Sequence, residues 1–320
     1  MSSSSRLQVR LFGRFSVSHN GHAEDGLGCR KAEELFAYLL LFRDRPHPRE
    51  TLAGMLWGET STVQSKKYLR QALWQLQNAL RAAGEPARCP TLLTAPDWVQ
   101  FNPAALAWVD VVAFEERWTR VRHLPAREVD GTTAPRLEET AGIYRGDLLG
   151  GWYQDWCLRE RERFQGMYLG ILEKLLSYCE AHQAFEQGVV FAEQILRCDR
   201  AHERAYQHLM RLHYQAGDCT GALRQYQRCM AALKDELDVE PSADTARLYQ
   251  QIREQRCNGA PSPSPPLLIG SNGNGKELVP EAFDRLTRLE TVLTGLLTEV
   301  QQEIASVRGA SRTAHQGRTA

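Results

Sequence analysis

The 320-residue chain has no excess of charge of either sign, because 39 Lys and Arg balance 39 Asp and Glu. A whole-molecule field near zero cannot attract nucleic acid, so any DNA binding has to come from a local patch. Aromatic residues are few, at 8%, which argues against a carbohydrate-binding or cofactor-stacking protein. The rest of the composition, 42% hydrophobic and 24% charged, is typical of a globular protein.

Metal motifs, catalytic motifs and long apolar runs are also missing. The eight cysteines form no Cys-x-x-Cys pair, and no His spacing suggests zinc. The N-terminus lacks the apolar stretch of a signal peptide, and no window approaches the roughly 18 apolar residues of a membrane span. No turn motif suggests a Ser-His-Asp, Cys-His or paired-carboxylate site. The sequence therefore predicts a cytoplasmic protein with no membrane segment, metal, cofactor or enzyme activity.

The N-terminal third has the pattern of strands followed by helices. Apolar residues alternate with polar ones from Leu7 to Val17, as in half-buried strands, with a turn at Gly13. Three helical patterns and then a hairpin follow, at 30–42, 49–57, 64–81 and 91–101. This order predicts a winged helix-turn-helix with an N-terminal sheet, whose second and third helices form the helix-turn-helix.

The second half contains an internal repeat of helical character. Five residues of its first copy each lie 34 residues before a matching residue of the second copy. The first copy contributes Leu172, Leu175, Leu176, Gly188 and Ile195, and the second contributes, in the same order, Tyr206, Leu209, Met210, Ala222 and Cys229. A period of 34 is that of tetratricopeptide helix pairs, which stack into a concave protein-binding array. A ligand groove is the alternative for the apolar members, but their repeat positions favour a core role.

The fold class that follows is mostly α, with an α+β winged helix-turn-helix, an all-α tetratricopeptide-like repeat domain and a C-terminal coiled-coil helix. The predicted parts are a DNA-binding domain at 1–117, a polar connector at 118–136, the repeat domain at 137–256, a linker at 257–280, a coiled-coil helix at 281–307 and a disordered tail at 308–320. Heptad a and d positions predict oligomerisation through Leu286, Leu289, Leu293, Leu296, Val300 and Val307. Docking of this helix on its own domain is the alternative, and the preceding linker favours self-association.

The third predicted helix carries the candidate DNA-binding face. A stripe of Leu69, Leu73, Leu76 and Leu80 marks its buried side. The candidate recognition residues on the other side are Gln64, Lys67, Arg70, Gln71, Trp74 and Asn78. No Asp or Glu occurs between residues 59 and 85, so this helix has a net positive charge although the whole chain is neutral.

The chemistry of this face suits DNA in several ways. Gln71 and Asn78 carry amides that can pair with adenine, and Lys67 and Arg70 can reach guanine or phosphate. The alternative is that this face is only the solvent-exposed side of an amphipathic helix, which is always polar. The winged-helix order of the elements favours DNA binding over this alternative. Trp74 more often packs beside a wing or a neighbouring helix than it touches a base.

Further candidates lie in the wing and on its flanks. They are Arg30, Lys31, Arg81, Arg88, Thr94 and Trp98. Wing residues can reach the minor groove or the backbone, and a core role is the stronger alternative for Trp98. For Arg30 and Lys31, phosphate contact and simple solvation are equally compatible with the sequence.

Two stretches resemble a known family. The N-terminal strands, 31–41, 52–57, 69–73 and a stretch from Val109 to Phe114 at the close of the wing resemble the DNA-binding domain of the Streptomyces antibiotic regulatory protein (SARP) family. The sequences Tyr-Arg-Gly-Asp-Leu-Leu at 144–149, Arg-Glu-Arg-Glu-Arg at 159–163 and Glu-Leu-Asp-Val-Glu-Pro-Ser at 236–242 resemble the bacterial transcriptional activator domain (BTAD) that follows it. The resemblance covers about residues 7 to 256.

The resemblance implies a promoter-binding regulator, usually an activator that contacts RNA polymerase. Asp238 stands where the family usually has Gly, which is tolerable because Asp adopts the left-handed conformation more readily than most residues. Arg200 replaces the expected Pro, so the turn between repeats is expected to differ. The predicted partners are double-stranded promoter DNA, RNA polymerase and a second copy of the chain.

Two other functions are compatible with parts of the sequence. A protein-interaction scaffold without a DNA role would use only the repeats. A nucleotide-sensing switch would use residues 270–276, which satisfy most of a phosphate-loop pattern ending at Lys276. Glu277 stands where Ser or Thr should bind magnesium, and the remaining residues are too few for a nucleotide-binding sheet. We therefore set the nucleotide switch aside.

Overall fold

A computed structural model describes residues 7–19, 22–23, 27, 29–83, 85, 88–105 and 107–257. The chain divides into two units, Met1–Pro261 and Ser262–Ala320, and the second unit lies outside the described residues. The predicted coiled-coil helix, its oligomerisation residues and the phosphate-loop-like stretch therefore also lie outside them. In the described part of the chain, no helix combines the length and the apolar character that crossing a membrane requires.

The described strands are β1 Leu7–Arg10, β2 Ser16–His19, β3 His22–Ala23, β4 His47–Pro48, β5 Leu92–Thr94, β6 Trp98–Phe101 and β7 Ala107–Val109. The described helices are α1 Arg30–Leu41, α2 Arg49–Trp57, α3 Thr62–Ala82, α4 Asp110–Val121, α5 Ala134–Ala141, α6 Asp155–Ala181, α7 Phe185–Cys198, α8 Glu203–Gln215, α9 Cys219–Leu237 and α10 Ala243–Cys257. A short 3₁₀ turn, Ala126–Glu128, lies between α4 and α5. The fold is thus mostly helical with two small sheets, as the sequence predicted.

The first sheet has the strand order β3-β2-β1-β7. Strand β1 pairs antiparallel with β2 and parallel with β7, so that Val9 lies beside Val109. Leu7 and Val9 are buried while Gln8 and Arg10 point to the other face, which is the alternation that the sequence shows. The sequence placed the Val109–Phe114 stretch at the close of the wing, and this is wrong. Residue 109 ends a strand of the first sheet, and Asp110 begins helix α4.

The winged helix-turn-helix is confirmed element by element. Helix α3 packs on α1 and α2 through the predicted leucine stripe, and Leu69, Leu73, Leu76 and Leu80 are all buried. The hairpin of β5 and β6 lies where the sequence placed it, and β4 adds a third strand in the order β4-β6-β5. The backbone N–H of Arg49 at the start of α2 donates to the carbonyl of Asp97 at 2.9 Å. This bond fixes the tip of the hairpin to the helix-turn-helix.

The predicted connector at 118–136 is largely helical. It contains the end of α4, the 3₁₀ turn and the start of α5. Trp118 packs on Gly170 of α6 so closely that a Cβ on Gly170 would lie 2.6 Å from the indole ring. The segment is therefore anchored on the helical half, and its role as a boundary between domains stays a prediction.

The internal repeat corresponds to two helix pairs, α6 with α7 and α8 with α9. All ten residues that define the repeat are buried. A Cβ on Gly188 would lie 2.8 Å from the Leu212 side chain, so α7 and α8 approach closely because residue 188 has no side chain. Asp238 ends α9 with φ 55° and ψ 38°, the left-handed conformation expected for it. Arg200 forms an ion pair of 2.9 Å with Glu236 in the turn region where Pro was expected.

The two halves share one core. The ring of Phe12, after strand β1, lies 5.3 Å from that of Phe114, 4.8 Å from Tyr144 and 5.4 Å from Phe164, centroid to centroid. A backbone hydrogen bond joins the two halves beside this cluster, because the Leu149 N–H donates to the Leu11 carbonyl at 2.8 Å. The N-terminal sheet and the helical half therefore meet through packed aromatic rings and backbone hydrogen bonds, not through a flexible joint.

Charged groups of α4, of α6 and of the segment after α1 reinforce this junction. Glu115 accepts hydrogen bonds from Arg43 at 2.9 Å and from Arg163 at 2.6 Å. Burial alone would raise the pKa of Glu115, but the bonds from these two guanidinium groups hold it below its ordinary value. Arg161 donates to the carbonyls of Leu148, Leu149 and Trp152. The alternating-charge segment at 159–163 is thus a structural clamp on the turn that the resemblance singled out.

Candidate nucleic-acid interface

Helix α3 begins in a way that leaves its N-terminus open to an anion. Ser61 caps the helix by accepting a hydrogen bond from the Gln64 N–H at 3.4 Å. The first turn contains no acidic residue, so nothing there opposes the positive end of the helix dipole. The beginning of α3 is therefore compatible with the approach of a DNA phosphate.

The structure brings the predicted recognition residues to one face of α3. Lys67, Arg70, Gln71 and Trp74 are exposed, and Gln64 and Asn78 are half-buried at its margins. The indole of Trp74 is 64% exposed, so the alternative in which it packs beside the wing or another helix does not hold. These side chains form a polar and cationic surface opposite the leucine stripe.

The cations of α3 differ in their partners. Lys66 pairs with Glu50 of α2 at 2.5 Å, and the hydrogen bond from Lys66 lowers the pKa of Glu50. Within the described residues, Lys67, Arg70 and Arg81 form no ion pair. Their charge is therefore available to an external anion, whereas that of Lys66 is compensated inside the chain.

The wing residues are also placed at the surface. Thr94 and Arg88 are exposed, and Trp98 is 36% exposed at the beginning of β6. Thr94 pairs in register with Val99, which is buried, so one face of the hairpin packs inward while Thr94 itself is exposed. In winged-helix proteins the wing can contact the DNA backbone beside the groove that the recognition helix enters.

The two cations at the start of α1 have partners inside the chain. The guanidinium of Arg30 lies 4.5 Å from the centroid of the Trp152 ring. Lys31 pairs with Glu34 at 2.9 Å. Arg30 thus stabilises the contact with the helical half, and a phosphate contact by either residue stays a prediction.

Sequence reasoning missed one residue of the α3 face, Val63. Its side chain is 80% exposed, and it lies one helical turn before Lys67. An apolar side chain left in water at the start of a recognition helix suits contact with the methyl group of thymine. The available signal was its spacing, since position 63 is four residues before position 67 and shares its face.

The comparisons with known proteins support the two-part architecture. Residues 109–253 match the family model described as the bacterial transcriptional activator domain. The match begins at the last residue of β7 and extends into α10. It confirms the resemblance of the second half, and the matched family is a regulator domain, not a class of enzyme.

A solved structure shares the fold over most of the chain. It is described as Mycobacterium tuberculosis EmbR in complex with a low affinity phosphopeptide, and the similarity has a TM-score of 0.59 at 21% identity. The aligned part covers 79% of this chain and 66% of the EmbR chain. At this identity the match shows the fold. No curated protein sequence matches this chain.

Proposed function

We propose that this chain, which carries a bacterial transcriptional activator domain at residues 109–253, is a transcriptional regulator that binds specific promoter DNA. The observation that carries the proposal is the exposed face of α3, where Lys67, Arg70, Gln71 and Trp74 project from a helix without acidic residues. Helix α3 enters the major groove, and the wing of β5 and β6 contacts the adjacent backbone. Such a regulator acts in the cytoplasm, where bacterial promoters are.

The helical half is proposed to contact RNA polymerase, so that the protein acts as an activator. The domain match supports this role, and so do apolar side chains left exposed on α7 and α9 or after α9. Val190 is 51% exposed, Met230 39%, Leu237 60% and Val239 47%. Exposed apolar groups of this kind are frequent at protein interfaces.

A chromatin pull-down combined with transcription in vitro tests the proposed function. We expect reproducible enrichment of promoter fragments, and higher transcription from an enriched promoter when the purified protein is added to RNA polymerase. The rival function is a scaffold that uses the helical repeats alone. Recovery of partner proteins without any enriched DNA would contradict the regulator and support the scaffold.

The heptad pattern at 281–307 is proposed to make the protein a homodimer. Deletion of these residues should halve the mass measured by light scattering, because the apolar a and d positions that hold two helices together are removed. Paired half-sites in the target DNA are then expected. An unchanged mass after the deletion would contradict this prediction.

Val63 is predicted to read a thymine methyl group. Replacing thymine by deoxyuridine throughout the bound site removes the methyl groups and should weaken binding by the wild-type protein about three- to tenfold, around the lower end of the 1–3 kcal/mol that a good bidentate base contact contributes. Val63→Ala should bind the two DNAs nearly equally, because it lacks the contact that the methyl group makes. The measurement is a fluorescence-anisotropy titration of both DNAs with both proteins.

The control is Val190→Ala, which removes the same two methyl groups from a valine that is also exposed, on α7. It should keep the full sensitivity to deoxyuridine. If Val63→Ala and the wild type lose the same affinity on the deoxyuridine site, Val63 does not read the methyl group; DNA binding itself is tested separately by the pull-down.

A further inference from the structure

A cleft lies on the side of the first sheet that faces away from its buried residues. Strand β1 contributes Gln8 and Arg10 to its floor, and β7 contributes Trp108, which pairs in register with Gln8. Arg117 of α4 and Arg145, beyond α5, complete the basic part of its lining. The volume of the cleft is about 590 Å³, within the usual range for small-molecule sites.

The cleft contains three guanidinium groups and two carboxylates. Arg117 reaches Glu139 only at 3.8 Å, and the Glu139 side chain is 71% exposed. Within the described residues, Arg10 and Arg145 form no ion pair. Two of the three guanidinium groups are therefore without an anionic partner at ion-pair distance.

The second carboxylate, that of Asp110, is bound by backbone N–H groups. It accepts hydrogen bonds from the N–H groups of Leu11 at 2.9 Å, Phe12 at 2.9 Å and Val111 at 2.7 Å. Burial raises the pKa of Asp110, and these N–H donors and the nearby Arg10 oppose that rise. Because its acceptor positions are used by the backbone, Asp110 does not compete for the guanidinium groups as an exposed carboxylate would.

The lining also contains an aromatic group, in addition to the apolar Ile143. Trp108 is half-buried in the cleft, and no cation lies over its ring among the described residues. Arginine binds phosphate with a forked pair of hydrogen bonds, and an indole ring offers a flat apolar surface for stacking. Guanidinium groups beside a free indole face form a combination suited to a ligand that is anionic at one end and aromatic at the other.

We propose that this cleft binds a small organic anion with a phosphate group next to an aromatic ring, of the size of a mononucleotide. The phosphate lies between Arg10 and Arg145, and the ring stacks on Trp108. The proposal is independent of DNA binding by α3. Since β1 belongs to the N-terminal sheet and Arg145 to the helical half, a bound ligand connects the two parts of the core.

The test is calorimetry on the full chain with AMP, GMP, CMP and UMP, and with adenosine and inorganic phosphate as fragments. At least one mononucleotide should bind at least tenfold more tightly than either fragment, because only the whole ligand uses both the guanidinium groups and the ring. Arg10→Ala and Arg145→Ala should each weaken that binding about tenfold. Trp108→Leu should weaken mononucleotide binding but leave the affinity for inorganic phosphate unchanged.

Arg127→Ala is the matched control, since it removes an arginine whose side chain is 84% exposed outside the cleft. It should leave mononucleotide binding unchanged. Absence of binding by all four mononucleotides would overturn the proposal, as would an equal loss of binding in Arg127→Ala. A loss of DNA affinity in Arg10→Ala or Arg145→Ala with unchanged mononucleotide binding would also overturn it, because the arginines would then serve the DNA backbone.

Discussion

Replacing Lys67, Arg70 and Gln71 together by alanine is expected to remove specific promoter binding. Each good base contact contributes about 1–3 kcal/mol of discrimination, so loss of one alone reduces affinity about 5- to 150-fold. If Lys67 and Arg70 each neutralise a phosphate, the slope of log K against log salt falls by about 0.9 for each of them. The measurement is a series of anisotropy titrations between low and moderate salt.

The control for this triple variant replaces the same three residue types on a different helix. Arg224, Gln227 and Lys234 are exposed on α9, and their joint replacement by alanine removes the same charges from the chain. This control should retain both the affinity and the salt slope of the wild type. Unchanged affinity and slope in the α3 variant would show that the DNA-binding face has been placed on the wrong surface.

Phe164→Ala is expected to destabilise both halves of the protein at once. The Phe164 side chain is 1% exposed and its ring packs on Phe12 and Phe114 of the N-terminal half. Truncation of a buried Phe costs about 3–5 kcal/mol through lost contacts and the cavity left behind. Because the aromatic cluster belongs to both halves, urea unfolding should remain one transition with a lower midpoint. Circular dichroism and tryptophan fluorescence should give the same midpoint.

Tyr153→Ala provides the comparison for this truncation. Tyr153 is 77% exposed, so its replacement should change the free energy of unfolding by no more than about 0.5 kcal/mol. Separate transitions for the two halves of Phe164→Ala, with only the helical half shifted, would contradict a shared core.

Local periodicity was sufficient to predict the helices and the hairpin to which the proposed function is assigned. The leucine stripe of α3 and the hairpin after it are visible in the sequence because one buried face produces a regular spacing of apolar residues. The same holds for the two helix pairs, since residues such as Leu175 and Leu209 occupy equivalent buried positions. The left-handed conformation of Asp238 was expected from the resemblance, because Asp238 stands where the family usually has Gly.

Contacts between distant segments could not be predicted in this way. Periodicity along the chain cannot show that Phe12 and Phe164 pack together. The charges at 159–163 look like a solvated helix face, yet Arg161 binds three backbone carbonyls that are close only in the folded chain. For the same reason the sequence did not show that Arg30 lies over the ring of Trp152. Val63 was missed because the predicted helix began at residue 64, whereas α3 begins at Thr62.

The most direct test of the central claim is dimethyl sulfate footprinting of the purified protein on a promoter recovered from its own genome. Dimethyl sulfate methylates guanine N7 in the major groove, which is the atom that an inserted recognition helix covers. The account predicts protected guanines within a short block, and loss of that protection in the variant with Lys67, Arg70 and Gln71 replaced by alanine. Guanines that stay fully reactive with the wild-type protein bound, or protection that the variant retains, would contradict it.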